Sequence, residues 1–262
     1  MYIVWEAKNM YKIISIAKVE YKMQMKNIVT WGVLGIALLV AMLDNFPSLS
    51  NLSRLEFLKQ PAYFVYRTLG LDGLILIFGL LFLTSNRIYM DKGLGMQRLF
   101  MTLPIRKEEY IIGKVLGSVG YVFSVISSFL FLNVLVYAFF LPQKFPILVY
   151  LLPLLKAIVI CVLPISYFIS GCAVILPALI DIRVFYLLST VLFFMNATSV
   201  GSAGQMPFYL ITSGDLSKLI WLHPKFPYIS IGSITANLIF LLLGGSIGTM
   251  FLLMRSKFWR QE

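Results

Sequence analysis

The chain has 262 residues, of which 60% are hydrophobic and 13% charged, and its mean hydropathy is +0.88. Ordinary soluble domains contain about 45–50% apolar and about 25% charged residues, so this composition excludes a water-soluble fold. The formal net charge of +11 does not indicate a nucleic-acid partner, because no motif that combines aromatic and basic residues accompanies it. Basic loops are instead expected of a membrane protein, because Lys and Arg in the loops determine its orientation.

The first 27 residues predict an amphipathic helix in the membrane interface. On a helix with about 100° per residue, five lysines fall within an arc of about 120°, while Trp5, Ile13 and Ile16 fall outside it. Such a helix lies on the membrane before the first span, with lipids as its partners. A soluble basic tail is the alternative. No signal peptide is predicted, because a short apolar core with a cleavage site is lacking. The lysines are Lys8, Lys12, Lys18, Lys22 and Lys26.

Six apolar runs predict six transmembrane helices. A charged side chain in hydrocarbon costs a few kcal/mol, and backbone groups there must pair within a helix, so runs with few or no charges mark the spans. With about 20 residues for each span, six spans occupy the whole chain as a single transmembrane domain, 1–262. The runs are 28–43, 69–86, 115–143, 156–181, 184–202 and 228–254.

The distribution of Lys and Arg predicts the orientation. Of the 22 basic residues, fifteen lie in 1–26, in 86–114, at Arg183 and in 255–262, and seven lie elsewhere. Loops rich in Lys and Arg stay in the cytoplasm. We therefore expect a multi-pass protein of a bacterial inner (plasma) membrane, with both termini and the 86–114 loop cytoplasmic. The outer segments are then 44–68, 142–153 and 203–227.

Two charged residues fall close to the predicted spans. Lys156 would lie inside the bilayer if the fourth span began near Ile147. Pro153 instead indicates a start near Leu154, which leaves Lys156 at the outer boundary, where its ammonium can reach water. Asp72 lies near the outer end of the second span. We expect both charges to be interfacial.

No catalytic, nucleotide-binding or metal site is predicted. The single histidine, His223, has no cysteine or carboxylate at metal-ligand spacing. Gly113-Lys114 lacks the upstream glycine and the following hydroxyl residue of a phosphate-binding loop. Cys161 and Cys172 are about 16 Å apart along one helix, too far for a mutual disulfide. We therefore expect that the chain is not an enzyme and that it holds no cofactor of its own.

Two glycine pairs at four-residue spacing, Gly113/Gly117 and Gly244/Gly248, predict places where helix backbones approach each other closely. Contact within one chain and contact between two chains both fit this pattern.

The loop 86–114 is too long for a simple turn between two spans. Residues 96–103 form a short amphipathic patch, which Pro104 ends. Its apolar side chains are Leu99, Phe100 and Leu103, and its polar ones include Gln97 and Arg98.

These features together resemble the membrane subunits of type 2 ABC exporters over essentially the whole chain. The resemblance comprises the amphipathic N-terminal helix, six spans with cytoplasmic termini, a long outer segment before the last span, and the run G-x-x-x-L-x-x-x-LP-I-x-x-x-E-Y-x-x-x-K over 95–114. That family often has glutamates before the glycine of this run, whereas this chain has Asp91 and Lys92 there. The salt-bridge partners implied by the family therefore differ here.

The resemblance implies an all-α polytopic membrane protein with six transmembrane helices, an interfacial N-terminal helix and a cytoplasmic coupling helix over 96–103. That helix would dock through Gln97, Arg98, Leu99, Phe100 and Leu103 on a separate cytoplasmic ABC ATPase, which carries the ATP and Mg²⁺. A second copy or a related permease would complete the pathway. Phe78, Phe82, Phe193 and Asn196 would line it, and 202–227 would form short re-entrant helices. The alternative class is a non-transporting sensor, assembly factor or immunity scaffold.

Overall fold

The computed structural model describes residues 2–45, 60–85, 87–88, 91, 105–140, 146–199, 210 and 231–254. These residues are helical almost throughout and contain no strand, which confirms the all-α class. The helices are α1 (Tyr2–Met25), α2 (Ile28–Asn45), α3 (Pro61–Arg67), α4 (Gly73–Thr84), α5 (Lys107–Phe140), α6 (Ile147–Ala157), α7 (Leu163–Leu179), α8 (Ile182–Ser199) and α9 (Ile231–Met254). Two π-helical segments, Thr68–Asp72 and Ile158–Val162, join α3 to α4 and α6 to α7.

The N-terminal helix exists as predicted and turns sharply into α2. The axes of Met10–Met25 and Ile28–Leu43 differ by 62°. Asn27 stands at the turn, where its Oδ1 accepts a hydrogen bond from the Val29 backbone N–H at 3.1 Å and so begins α2. α1 packs along α5, which a free tail would not do, and its position in the membrane interface stays a prediction.

The apolar helices are those of a membrane protein. Among the described residues, Lys107–Phe140 and Leu148–Leu179 are each long and apolar enough to cross a bilayer, and up to four spans result if each bent helix pair counts as one. Ile182–Ala197 and Thr235–Met250 are shorter apolar helices. An apolar helix thus occurs at each of the six predicted runs, but the number of spans stays a prediction.

Two helices begin earlier than predicted. The helix of the third run begins at Lys107 and carries Glu109 and Lys114 into the protein. The helix of the fourth run begins at Ile147, not near Leu154, because Pro153 is accommodated inside it. Membrane helices tolerate an internal proline where π-helical turns and neighbouring helices satisfy the freed carbonyl.

Lys156 and Asp72, which were predicted near the outer ends of two spans, lie further inside their helices than predicted. Lys156 is half-buried near the end of α6, and the helix it belongs to is 32 residues long. At 1.5 Å per residue that is about 48 Å, longer than the roughly 30 Å hydrocarbon core. Asp72 lies halfway along the bent pair α3–α4 rather than near its end, and it is only 1% exposed.

The pair α3–α4 is bent because Gly70 leaves the helical conformation, with φ −58° and ψ −107°. The two halves differ in direction by 42°. On the N-terminal side of the bend, the ring of Phe64 stacks on that of Tyr137 at 3.8 Å between centroids. This contact attaches α3 to the C-terminal end of α5.

The long helix α5 lies at the centre of the core and packs against α1, α2, α4 and α7. Its buried side chains include Tyr121, Phe129 and Leu130. The last helix, α9, packs on α7 where two glycines meet: a Cβ atom built on Gly171 would lie 2.6 Å from the carbonyl oxygen of Gly245. Of the predicted pair, a Cβ atom on Gly244 would lie 2.7 Å from the ring of Phe168 and one on Gly248 would lie 3.6 Å from Ile175, so both glycines face α7 of the same chain.

Candidate functional site

Charged side chains from three separate segments meet in the interior between α1, the residues that follow α4, and the first turns of α5. We call this group the ionic cluster. It contains three positive and three negative side chains, so that the described members have no net charge. They are Lys12, Glu20, Arg87, Asp91, Glu109 and Lys114.

The centre of the ionic cluster is Lys114, which is 4% exposed. Its Nζ lies 3.2 Å from Oε2 of Glu20 and also pairs with Asp91. Glu20 is 1% exposed, and its other oxygen lies 3.8 Å from Nε of Arg87. The hydroxyl of Tyr110 donates a hydrogen bond to Asp91. One lysine therefore joins α1 to the segment that follows α4.

A second row of polar contacts continues from the ionic cluster toward α2. The Nε2 of Gln24 donates to Oε1 of Glu20 at 2.8 Å and to Oγ of Ser118 at 2.6 Å. Thr30 donates to the Gln24 carbonyl oxygen at 3.2 Å, and its hydroxyl lies 2.8 Å from that of Tyr121. These side chains are buried, so the end of α1, the start of α2 and α5 are fixed to one another.

Two glycines allow this contact. A Cβ atom on Gly113 would lie 2.8 Å from the Cβ of Ile16, and one on Gly117 would lie 2.6 Å from the carbonyl oxygen of Ala17. Any larger residue would separate α1 from α5 and lengthen the Lys114–Glu20 pair. The Gly113/Gly117 pair is thus a contact between helices of the same chain.

Burying charged groups is costly, and it is tolerated only when partners and hydrogen bonds replace water. The ionic cluster supplies the charged partners, because its charges balance and each described member has an oppositely charged neighbour. The hydrogen bonds are incomplete, since Oε1 of Glu109 is buried without a hydrogen-bond partner. Removing one member would leave an uncompensated charge in the interior. The three segments are consequently held in a defined arrangement.

The ionic cluster also closes the base of the loop 92–104. Asp91 precedes this loop directly, and Glu109 follows it by a few residues. The Oε2 of Glu109 accepts a hydrogen bond from the Arg106 backbone N–H at 2.9 Å and lies 3.8 Å from Nζ of Lys12. Since Asp91 contacts both Tyr110 and Lys114, the two ends of the loop are tied to each other.

Most of the predicted site residues fall elsewhere. The coupling-helix residues Gln97, Arg98, Leu99, Phe100 and Leu103 lie outside the described residues, as does the outer segment 203–227 apart from Leu210.

Three of the four predicted path-lining residues come together. The rings of Phe78 and Phe193 stack at 4.4 Å, Phe78 meets Phe82 edge-on at 4.7 Å, and Phe82 stacks on Tyr186 at 4.7 Å. This aromatic ladder joins α4 to α8, and the Ser85 hydroxyl extends it, lying 2.9 Å from that of Tyr186. Asn196 is buried, and its Oδ1 accepts a hydrogen bond from the Leu210 backbone N–H at 2.8 Å.

Sequence reasoning did not identify Glu20, Gln24 or Tyr110 as site residues. One signal was present: Glu20 falls outside the lysine arc of α1, and Gln24 follows it by one helical turn, so both polar groups lie on the face that the amphipathic pattern leaves for packing.

Comparison with known proteins finds no matching family model, no matching curated protein and no matching solved structure. In the described part of the chain, no group of three or more His, Cys, Asp or Glu residues could hold a metal ion.

Proposed function

We propose that this chain is the membrane-spanning permease subunit of an ATP-driven exporter. In this proposal six helices cross the membrane, both termini are cytoplasmic, and the coupling helix 96–103 of the loop 86–114 docks on a separate ABC ATPase that hydrolyses ATP with Mg²⁺. A second permease, identical or related, completes the pathway. The resemblance of the 95–114 run to type 2 ABC exporters supplies the class.

The observation that supports this role best is the closed base of the loop 92–104. A loop attached only by its backbone would bend when a partner pushes on it. Here Asp91, Tyr110 and Lys114 tie its two ends together, and Glu20 ties them to α1. A displacement of the loop therefore moves α1 and α5 as a unit, which a motor subunit requires of the membrane subunit that it drives.

The aromatic ladder could transmit a displacement of the ionic cluster to α8. Arg87 belongs to the ionic cluster, and Ser85, two residues earlier, contacts Tyr186 of α8. Movement of the segment that follows α4 would thus reach α8, on which Phe193 lies. In this proposal α4 and α8 border the substrate path.

The docking role of the loop is tested with the double variant Leu99→Ala/Phe100→Ala. Losing one large apolar anchor from an interface costs about 2 kcal/mol, so the affinity for the ATPase should fall by at least about 30-fold. Thr102→Ala, on the polar side of the same patch, is the control and should change it by less than about two-fold. The measurement is the amount of ATPase that co-purifies from native membranes, together with substrate-stimulated ATP hydrolysis.

Docking through 96–103 would be contradicted if the wild type and the double variant recovered equal amounts of an ATPase that has a phosphate-binding loop. If instead a signalling or assembly protein without such a loop co-purifies and is lost in the double variant, the chain is a scaffold rather than an exporter.

The proposed orientation is tested by labelling. With Cys161 and Cys172 changed to serine, a cysteine introduced at Ser213 is expected to react with an impermeant thiol reagent added to intact cells, because 203–227 is placed outside. A cysteine at Gly95 is expected to react only after the membrane is opened. The reverse pattern would overturn the orientation that the excess of cytoplasmic basic residues predicts.

A further inference from the structure

The face of α1 that points away from α5 carries both lysines and large apolar side chains. Lys18, Lys22 and Lys26 follow one another at four-residue spacing, and all are exposed. On the two sides of this row, Ile14 is 57% exposed and Val19 is 58% exposed. Tyr11, Met10 and Met23 are also exposed, at 74%, 63% and 48%.

The rotation of α1 about its axis is fixed by its opposite face. Ile16, Ala17 and Glu20 contact Gly113 and Gly117 of α5. Glu20 also pairs with Lys114. The lysine row therefore cannot turn inward without breaking the ionic cluster, and it must face whatever surrounds the protein.

Neither water nor hydrocarbon suits this face. Exposed isoleucine, valine and methionine side chains are unfavourable in water, and three lysines are unfavourable in hydrocarbon. The headgroup region satisfies both, since a helix there buries its apolar side chains about 5–10 Å deep and directs its lysines to phosphate groups. The attraction of a helix C-terminus for cations would favour Lys22 and Lys26 but leaves the exposed apolar residues unexplained.

The direction of α1 agrees with this placement. A transmembrane helix is tilted on average by about 20° from the membrane normal, and α1 differs in direction from α2 by 62°. If α2 crosses the membrane at that tilt, α1 lies about 40–80° from the normal and does not continue the direction of the span.

We propose that the exposed face of α1 is a binding surface for anionic phospholipid headgroups, in which Lys18, Lys22 and Lys26 contact the phosphates while Val19 and Met23, on one side of the lysine row, enter the adjoining acyl region. The partner is the membrane in which the chain itself lies. This inference does not depend on the transport function. Basic side chains near an anionic surface contribute about five-fold each to binding.

The test uses the full chain, purified in a neutral detergent and titrated with either phosphatidylglycerol or phosphatidylcholine. Bound lipid is counted by native mass spectrometry. The wild type is expected to bind phosphatidylglycerol at least about ten-fold more tightly than phosphatidylcholine. The variant K18Q/K22Q/K26Q should lose most of this preference, and K18R/K22R/K26R should keep it. The control R106Q/K107Q/R183Q removes the same number of charges elsewhere and should also keep it.

Three results would overturn the proposal: a preference unchanged in K18Q/K22Q/K26Q, an equal loss in the control, or displacement of the lipid by millimolar inorganic phosphate, which would make the site one for free phosphate. A second readout places α1 directly. An environment-sensitive fluorophore on V19C, in a background in which Cys161 and Cys172 are serine, should report an apolar environment in nanodiscs with phosphatidylglycerol. A fully aqueous signal would show that this face is turned toward solution or a protein partner, and would also overturn the proposal.

Discussion

Replacing Lys114 with methionine is expected to destabilise the protein by about 3–5 kcal/mol, the usual cost of breaking a buried ion pair by removing one partner. Methionine keeps most of the volume of the lysine side chain but leaves Glu20, which is 1% exposed, and Asp91 without their shared cation. The measurement is the free energy of unfolding in mixed micelles, with a fluorescence signal from α1 used to monitor unfolding.

Lys107→Met is the matched control, because Lys107 lies at the start of the same helix but is exposed. An exposed charge contributes at most about 1 kcal/mol, so the control should remain close to wild type. The double variant Lys114→Met/Glu20→Gln should be less destabilised than the sum of its two single variants, with a coupling of about 0.5–3 kcal/mol. Equal stabilities of Lys114→Met and Lys107→Met would show that the ionic cluster does not hold the segments together.

Replacing Gly171 with alanine is expected to destabilise the contact between α7 and α9 by about 3 kcal/mol, the upper part of the range for overpacking. The added methyl group would lie 2.6 Å from the carbonyl oxygen of Gly245 and 2.9 Å from its Cα. Both are backbone atoms of a helix, so the strain can be relieved only by moving the whole of α9.

Gly248→Ala on the same interface is the control for Gly171→Ala. A Cβ atom there would find its nearest neighbours at 3.6–3.7 Å, which is ordinary van der Waals contact, and alanine favours a helix over glycine. This variant should unfold at or above the wild-type denaturant concentration. If Gly171→Ala also unfolds at or above the wild-type denaturant concentration, α7 and α9 are not in the close contact described.

The sequence was sufficient to predict the positions of the apolar helices because the signal is local. Each coincides for most of its length with one run that has few or no charges, and no other part of the chain is needed to recognise that run. The same rule misplaced the start of α5. Charged residues were taken as limits of the spans, yet Glu109 and Lys114 lie inside the packed helix, where residues of distant segments neutralise them.

The ionic cluster was not predictable for the same reason. Lys114 pairs with Glu20 across 94 residues of chain, and no periodicity within α1 or α5 specifies that contact. Gly113 and Gly117 showed that some helix would approach α5 closely, but not that α1 would do so. The family resemblance named Phe78, Phe82 and Phe193 as path-lining residues, but it did not predict that their rings stack on one another, and Tyr186 gave no sequence signal.

The long separation between Glu20 and Lys114 has a consequence for how the protein is made. At about 5–20 residues per second, a ribosome releases Lys114 roughly 5–20 s after Glu20. During that interval α1 has emerged, but the partner of its acidic side chain does not yet exist. A helix that first crossed the bilayer would have to bury that carboxylate alone. A helix whose lysines keep it at the membrane surface leaves Glu20 hydrated until α5 is inserted beside it, so the N-terminal segment completes its packing only after the third hydrophobic segment has entered the membrane.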